Sequence, residues 1–247
     1  MAEDLWDLGF SPINIQCLKH CLSEYPDRIN SYFLLDGFKH GFHLGYKGPR
    51  IPLLCKNLKS AYDNPNELQN IIDMEVEKHR TLGPFSVPPI SNLRTSPIGI
   101  VPKKSGGWRL ITHLSAPNNF SVNDFIPKED CHVSYASFNH TLGIIQKAGL
   151  GAELGKMDIK SAFRLLPVHT SDFCILGIQH LDKFYIDKCL PFGCSASCKL
   201  FENFSTFLHW LMEKRSGLAS LDHCLDDFIF IGRAGSNECA HLMSSFF

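Results

Sequence analysis

The sequence predicts an α+β fold in which antiparallel hairpins pack against helices. Residues 97–114 and 221–232 each contain two runs of strand-forming residues joined by a turn, the pattern of a β-hairpin. Residues 195–215 carry apolar side chains at helical spacing, which predicts a long amphipathic helix. The 247-residue chain is 44% hydrophobic and 20% charged, so it is long enough to bury a core and too apolar to be disordered.

The chain begins with a segment that is rich in turn residues. Glycines scattered before residue 50 predict an irregular N-terminal extension over residues 1–62, followed by a second region over residues 63–247. Asn64 is predicted to cap a helix that ends at Gly83 and Pro84, because glycine and proline commonly follow the last helical turn.

The remaining elements follow from periodicity and from turn residues. Helices are predicted over residues 134–148 and from residue 236, and strands over residues 153–159, 173–178 and 184–186. The strand over residues 153–159 would deliver Asp158 near its end.

Two adjacent carboxylates, Asp226 and Asp227, are predicted to lie at the turn of the hairpin over residues 221–232. Paired carboxylates on a rigid turn repel each other unless a cation lies between them. Mg²⁺ (or Mn²⁺) suits such oxygen ligands, and Asp158 offers the third carboxylate that a two-metal site requires. An ordinary solvated turn is the alternative for the Asp pair alone.

A basic loop joins the two strands predicted over residues 97–114. Lys103, Lys104 and Arg109 lie at or beside this loop, and the window over residues 94–128 holds five basic residues and one acidic residue, a net charge of +4. The loop is either an ordinary solvated turn or a basic flap that closes on phosphate groups.

Ten cysteines raise the question of disulfides or a zinc site. The acidic start of the chain lacks the apolar run of a signal peptide, so we expect reduced cysteines and a cytoplasmic location, with the nucleus as the alternative. The cysteine spacings predict no structural zinc site. We expect no membrane partner, because no stretch reaches eighteen apolar residues.

A series of motifs in this order resembles the reverse transcriptases of retroelements, in particular of LTR and DIRS-type retrotransposons. The motifs are Ser96-Pro97 with Val101-Pro102-Lys103-Lys104, then Arg109-Leu110-Ile111 with Ser121-Val122-Asn123, then Met157 to Phe163, then Leu190-Pro191-Phe192-Gly193-Cys194. The Asp226-Asp227 hairpin completes the series, and the resemblance covers about residues 38–247.

This resemblance implies a right-hand polymerase with fingers and a partial palm, whose antiparallel palm sheet is backed by helices and which stops before the thumb. It implies an RNA-directed DNA polymerase, a nucleotidyltransferase that uses Mg²⁺, dNTPs and an RNA or DNA primer–template, with the rest of a polyprotein as a further partner. The metal-binding, catalytic residues would be Asp158, Asp226 and Asp227. The nucleotide-binding residues would be Lys103, Lys104, Arg109, Phe163, Phe192 and Gly193, with Phe163 excluding a ribose 2′-OH.

Two departures from the family pattern affect these expectations. Cys224 stands where the family usually has an aromatic residue, and by this resemblance we expect residues 1–247 to lack the later palm strands and the thumb. We therefore expect exposed apolar surface around Leu242, Phe246 and Phe247, and weak polymerase activity from this chain alone.

Two alternatives to a working reverse transcriptase remain open. One is a truncated or co-opted remnant that binds nucleic acid or protein without catalysis. The other is an RNA-dependent RNA polymerase, which the bulky Phe163 disfavours because ribonucleotides need room at that position.

Overall fold

The computed structural model describes residues 5–104 and 106–245, which contain both helices and strands. The α-helices are α1 (Ile15–Leu22), α2 (Arg28–His40), α3 (Lys59–Asp63), α4 (Pro65–Glu77), α5 (Phe138–Ala148), α6 (Ser197–Ser216) and α7 (Glu238–Ser244). The strands are β1 (Thr81–Phe85), β2 (Ile98–Pro102), β3 (Trp108–Thr112), β4 (Glu153–Asp158), β5 (Gly177–His180), β6 (Lys183–Asp187), β7 (Leu221–Cys224) and β8 (Asp227–Gly232).

Contacts divide the chain into two units. The first unit is drawn from the segments Met1–Ile13, Asp36–Cys131 and Phe163–Ser197, and the second from Asn14–Leu35, His132–Ala162 and Cys198–Phe247. The described residues of 1–62, for which the sequence predicts a turn-rich extension, include α1, α2 and the start of α3 and contribute to both units.

The first unit contains two small antiparallel sheets. One has the strand order β1-β6-β5, and the other is the β2–β3 hairpin. Leu68 and Ile72 of α4 pack against Ile98 and Ile100 of β2, and together they form the core of this region. Their spacing of four along the helix places both apolar side chains on the face that meets the strand.

The second unit is built on an antiparallel sheet with the strand order β4-β8-β7. Phe228 and Phe230 alternate along β8 and point to one face, where they form a core with Leu221, Met212 and Leu242. The intervening residues of β8 therefore point to the opposite face of the sheet. That opposite face bears the polar residues of the candidate site.

The structure confirms the predicted hairpins and refines the second one. The predicted strands over residues 97–114 are observed as β2 and β3, and the pattern over residues 221–232 is observed as β7 and β8. Leu225 and Asp226 form the turn between β7 and β8, while Asp227 is already the first residue of β8. The long helix predicted over residues 195–215 is observed as α6.

Two predicted elements are wrong. The segment predicted as a strand over residues 173–178 is largely a 3₁₀ turn, Thr170–Ile175, and the strand begins only at Gly177. A short apolar run fits a buried turn as well as a buried strand, and periodicity does not separate the two. The helix predicted to end at Gly83 and Pro84 ends at Glu77 instead, because those two residues belong to β1, which pairs with β6.

Details at the ends of the elements also differ from expectation. The side chain of Asn64 makes no capping hydrogen bond to α4. Leu242, expected to be exposed, is buried in the core of the second unit, while Phe246 and Phe247 lie outside the described residues. The ten cysteines, all within the described residues, form no disulfide with one another. Among the described residues, no helix is long and apolar enough to cross a membrane.

Candidate functional site

The three predicted aspartates come together at one end of the second unit's sheet. Asp158, the last residue of β4, lies directly opposite Asp227, the first residue of β8. Directly opposed residues of antiparallel strands project to the same face, with Cβ atoms about 5 Å apart. Asp226 occupies the adjoining turn, where its carbonyl oxygen accepts a hydrogen bond of 2.9 Å from the N–H of Ile159.

The turn that carries Asp226 has an unusual backbone. Leu225 has a φ of +55°, a left-handed conformation that a residue with a branched side chain rarely adopts. Its N–H donates to Oε2 of Glu202 on α6 at 3.2 Å. Strained backbone of this kind persists where surrounding contacts hold it and is frequent at functional sites.

The aspartates influence one another electrostatically. Burial raises the pKa of the Asp226 carboxyl, and the negative charges of Asp158 and Asp227 raise it further. Nζ of Lys156 lies 3.0 Å from Oδ1 of Asp227, and this hydrogen bond raises the pKa of the lysine. Three carboxylates face one ammonium group, so the site retains an excess of negative charge that suits a cation.

The donor set fits Mg²⁺ or Mn²⁺. Carboxylate oxygens are the ligands that these hard cations prefer, and Asp158 and Asp227 are exposed to solvent, which leaves room for water and phosphate. A divalent cation among these carboxylates would relieve the repulsion that raises the pKa of Asp226. The assignment of the three residues as metal ligands stays a prediction.

Lys156 was not identified from the sequence. It lies two residues before Asp158 on β4, and residues two apart on a strand share a face. Because β4 pairs with β8 so that Asp158 lies opposite Asp227, the side chain of Lys156 lies on the same face of the sheet as these two aspartates. Cys224, which stands where an aromatic residue is expected, is exposed and directly opposite Asp227.

A pocket of about 430 Å³ adjoins the aspartates on the same face of the sheet. Its lining includes Phe138, Thr141, Leu154, Lys156, Asp227 and Ile229. Asp222 also lines this pocket. Its buried carboxylate accepts a hydrogen bond of 2.6 Å from Oγ1 of Thr141 and lies 3.2 Å from Nδ1 of His140. Burial alone would raise the pKa of Asp222, but these polar contacts lower it overall.

Three of the predicted nucleotide-binding residues, Phe163, Phe192 and Gly193, lie within the segment of the first unit that spans residues 163–197. The rings of Phe163 and Phe192 lie with their centroids 5.1 Å apart at an interplanar angle of 43°. Gly193 has a φ of +102°, and a Cβ atom on it would lie 2.5 Å from the carbonyl oxygen of Thr112. Only glycine fits this position, because β3 approaches the turn so closely.

Asn123 holds the turn that contains Phe192 and Gly193. Its Nδ2 donates to the carbonyl oxygen of Gly193 at 2.8 Å, and its Oδ1 accepts from the N–H of Ser195 at 3.0 Å. Asn123 is part of the Ser121-Val122-Asn123 motif. The sequence does not reveal that its side chain holds this turn in place, because its hydrogen-bond partners lie about seventy residues further along the chain.

Phe163 is anchored through its neighbour. Arg164 is buried, with NH1 2.8 Å from Oδ2 of Asp187 and NH2 3.0 Å from Oε2 of Glu75. Burial alone would lower the pKa of Arg164, but the two carboxylates raise it. The paired guanidinium group therefore fixes the 3₁₀ turn Ala162–Leu165, on which Phe163 lies.

The other three predicted nucleotide-binding residues lie on the β2–β3 hairpin. Lys103 and Lys104 occupy its tip, and Arg109 lies on β3 opposite Val101. Trp108 and Leu110 pack on the core of the first unit, so Arg109 between them projects to the other face. All three cations are exposed, and no carboxylate in the described part of the chain forms an ion pair with them.

Comparison with known proteins identifies the fold. No family model matches the sequence, and no curated protein matches it. Comparison with solved structures shows that the chain has a reverse-transcriptase-like fold. The coarse expectation from the motifs is thereby confirmed, whereas the LTR or DIRS branch stays a prediction.

The similar structures include protease-reverse transcriptases of foamy viruses. The native enzyme of prototype foamy virus gives a TM-score of 0.57 at 18% identity, over 96% of this chain and 31% of that chain. The foamy viral enzyme in complex with double-stranded DNA gives 0.56 at 19% identity, over 96% and 42%. The complex with an RNA/DNA hybrid gives 0.58 at 18% identity, over 97% and 32%. The chain thus spans less than half the length of these relatives.

Proposed function

We propose that the chain is the fingers and palm region of an RNA-directed DNA polymerase from a retrotransposon of the LTR or DIRS type. The reaction would transfer a nucleotidyl group from a dNTP to the 3′-OH of a primer. The observation that carries this proposal is the pairing of Asp158 with Asp227 across β4 and β8, with Asp226 in the adjoining turn, within a reverse-transcriptase-like fold.

The aspartates would hold the metal ions of this reaction. Asp158, Asp226 and Asp227 would bind Mg²⁺ or Mn²⁺, and two such ions, when bound, activate the primer hydroxyl and stabilise the leaving pyrophosphate. Before binding, Lys156 neutralises part of the charge on Asp227. Because β4 and β8 are hydrogen-bonded partners, the carboxylates are held on a rigid sheet and need little reorganisation.

The first unit would bind the incoming nucleotide. Lys103, Lys104 and Arg109 would contact the triphosphate, since their exposed cationic groups are not neutralised by carboxylates of the described residues. Phe163 would pack beneath the sugar and exclude a 2′-OH, a role supported by its anchoring through Arg164. Phe192 and Gly193 would line the same pocket.

A second candidate function is binding of nucleic acid without catalysis. It is favoured by the ion pair between Lys156 and Asp227, in which an ammonium group occupies the neighbourhood that a metal ion would need. The two candidates differ in one measurable respect, because only the first incorporates nucleotides.

The test is primer extension by the 247-residue chain with Mg²⁺ or Mn²⁺, dNTPs and a primer–template at low ionic strength. We expect slow incorporation of single nucleotides, abolished in the variant Asp226→Asn/Asp227→Asn and unchanged in Asp182→Asn, which alters an exposed turn of the first unit. At physiological salt we expect little extension, because phosphate contacts dominate nucleic-acid affinity and are screened. Primer–template binding without any incorporation, equal in both variants, would establish the second candidate instead.

A further inference from the structure

Two histidines of the second unit have ring nitrogens in contact, and one of them lies on the β7–β8 hairpin that carries Asp226 and Asp227. His209 lies on α6 and His223 on β7, and their Nδ1 atoms are 2.7 Å apart. A carboxylate oxygen of Asp222 completes a set of three donor atoms that all lie within 4.8 Å of one another. The side chains of His209, His223 and Asp222 are 20%, 11% and 5% exposed, so this cluster is largely removed from solvent.

The far side of each imidazole faces a carboxylate. Nε2 of His209 lies 3.5 Å from Oε1 of Glu213, and Nε2 of His223 lies 3.2 Å from Oε1 of Glu202. The Nε2 atom of His223 is buried and makes no well-aligned hydrogen bond. Its ring is nevertheless fixed, because it stacks on Phe228 with centroids 5.2 Å apart and an interplanar angle of 15°.

Two neutral imidazoles do not supply an N–H group to every close contact in this cluster. They carry two N–H groups, whereas three close contacts are present: one between the Nδ1 atoms and one from each Nε2 atom to a carboxylate, of which that of His223 is not a well-aligned hydrogen bond. If both Nε2 atoms carry the protons, two lone pairs meet at 2.7 Å. Either a third proton or a metal cation between the rings removes this conflict.

We propose that His209 and His223 bind a divalent transition-metal ion, with Zn²⁺ as the best fit, through their Nδ1 atoms. Asp222 would be the third ligand, and water would complete a tetrahedral set. Imidazole nitrogens select Zn²⁺ and similar ions over Mg²⁺. On a tetrahedral ion with Zn–N bonds of about 2.0 Å, the two nitrogens would lie about 3.3 Å apart, so the rings would separate by about 0.6 Å.

The outer carboxylates support this assignment. Histidines that bind metals almost always direct the other ring nitrogen to a carboxylate or carbonyl, which fixes the tautomer and strengthens the ligand. Glu213 and Glu202 stand in that position on His209 and His223. The same chain of contacts continues to the turn that carries Asp226, because the second oxygen of Glu202 accepts the N–H of Leu225.

The metal would therefore join α6 to the hairpin that presents Asp226 and Asp227. The two imidazoles lie apart from the aspartate site, because Lys156 and the aspartates lie on one face of the sheet while His223 shares the other face with Leu221. Asp222, opposite Ile229, belongs by register to the aspartate face and also lines the pocket beside Lys156. We expect the ion to stabilise the fold of the second unit rather than to take part in a reaction.

Zn²⁺ binding to the purified full chain tests the proposal. After removal of metals by a chelator, calorimetric titration with Zn²⁺ in excess Mg²⁺ should show one tight site, and Zn²⁺ should raise the Tm. His209→Ala and His223→Ala should abolish this site, whereas the matched control His20→Ala, on the exposed side of α1, and the variant Asp227→Asn should retain it. Glu202→Gln should weaken binding about tenfold.

Co²⁺ provides a second measurement on the unaltered chain, independent of whether the histidine variants fold. Nitrogen and oxygen ligands should give the visible d–d bands of a four-coordinate ion without thiolate-to-cobalt charge transfer. A charge-transfer band would assign the metal to cysteine thiolates instead, and a Zn²⁺ titration unaffected by His209→Ala and His223→Ala would overturn the proposal.

Discussion

Asp158 and Asp227 are directly opposed across the antiparallel strands β4 and β8, and Nζ of Lys156 lies 3.0 Å from one oxygen of Asp227. The two carboxylates come from positions 69 residues apart, yet the strand register fixes their separation. This relationship makes the end of the sheet a strongly charged site with one compensating cation.

The opposed carboxylates should bind divalent cations jointly. Asp227→Asn should weaken Mn²⁺ binding at this site about tenfold or more, because it removes one of three charged ligands, and about 1.4 kcal/mol corresponds to tenfold. Electron paramagnetic resonance of free Mn²⁺ measures this affinity. Asp182→Asn serves as the control, and equal affinity in both variants would contradict the assignment of Asp227 as a ligand.

Removal of the compensating lysine should have the opposite effect. Lys156→Ala frees Asp227 from its ion pair, so Mn²⁺ affinity should rise by a few-fold at most, because a solvent-exposed ion pair is weak. The control is Lys160→Ala, which alters an exposed lysine nearby in the sequence. Weaker metal binding in Lys156→Ala would show that the lysine supports the site rather than competing for it.

The pKa of Asp226 in the metal-free chain should depend on the charges of the neighbouring carboxylates. Burial and the carboxylates of Asp158 and Asp227 raise its pKa, so the folded state binds this proton more tightly than the unfolded state. The resulting stabilisation is present at acid pH and is lost as the pH rises from about 4, the ordinary value, through the raised pKa.

Carbon-13 NMR of the Asp226 carboxyl group measures this pKa. In Asp227→Asn the pKa should fall but stay above the ordinary value, because burial is the larger cause. A pKa that does not move in Asp227→Asn would mean that the two carboxylates are too far apart to interact.

Arg164 should be a major determinant of stability. Arg164→Met leaves the buried carboxylate of Asp187 without its partner, which should lower the free energy of unfolding by about 3–5 kcal/mol. Arg233→Met is a matched control, because Arg233 is 70% exposed and its solvent-screened ion pair with Glu238 should contribute little to stability. Urea denaturation compares the two, and similar losses would refute the distinction.

Phe163 should determine sugar selection if the proposed function is correct. In an active, extended form of the protein, Phe163→Ala should increase ribonucleotide incorporation relative to deoxyribonucleotide incorporation, because the ring would no longer block the 2′-OH. Primer extension with each nucleotide type gives the ratio, and Phe10→Ala, an exposed position, is the control. Unchanged discrimination would remove Phe163 from the sugar pocket.

The sequence by itself determined the local elements that carry the site. Alternating strand-formers around Asp226 and Asp227 predicted the β7–β8 hairpin, and helical spacing predicted α6, because both patterns depend on nearest neighbours along the chain. The order of the motifs likewise indicated a reverse-transcriptase-like fold, which the structural comparison confirms.

Tertiary structure alone decided how these elements meet. The register of β4 against β8 brings Lys156 to Asp227, and the packing of α6 on β7 brings His209 to His223. Pairing with β6 drew Gly83 into a strand, against the local signal for a helix end. Such contacts depend on which faces are buried between segments far apart in the chain, and local residue patterns do not contain that information.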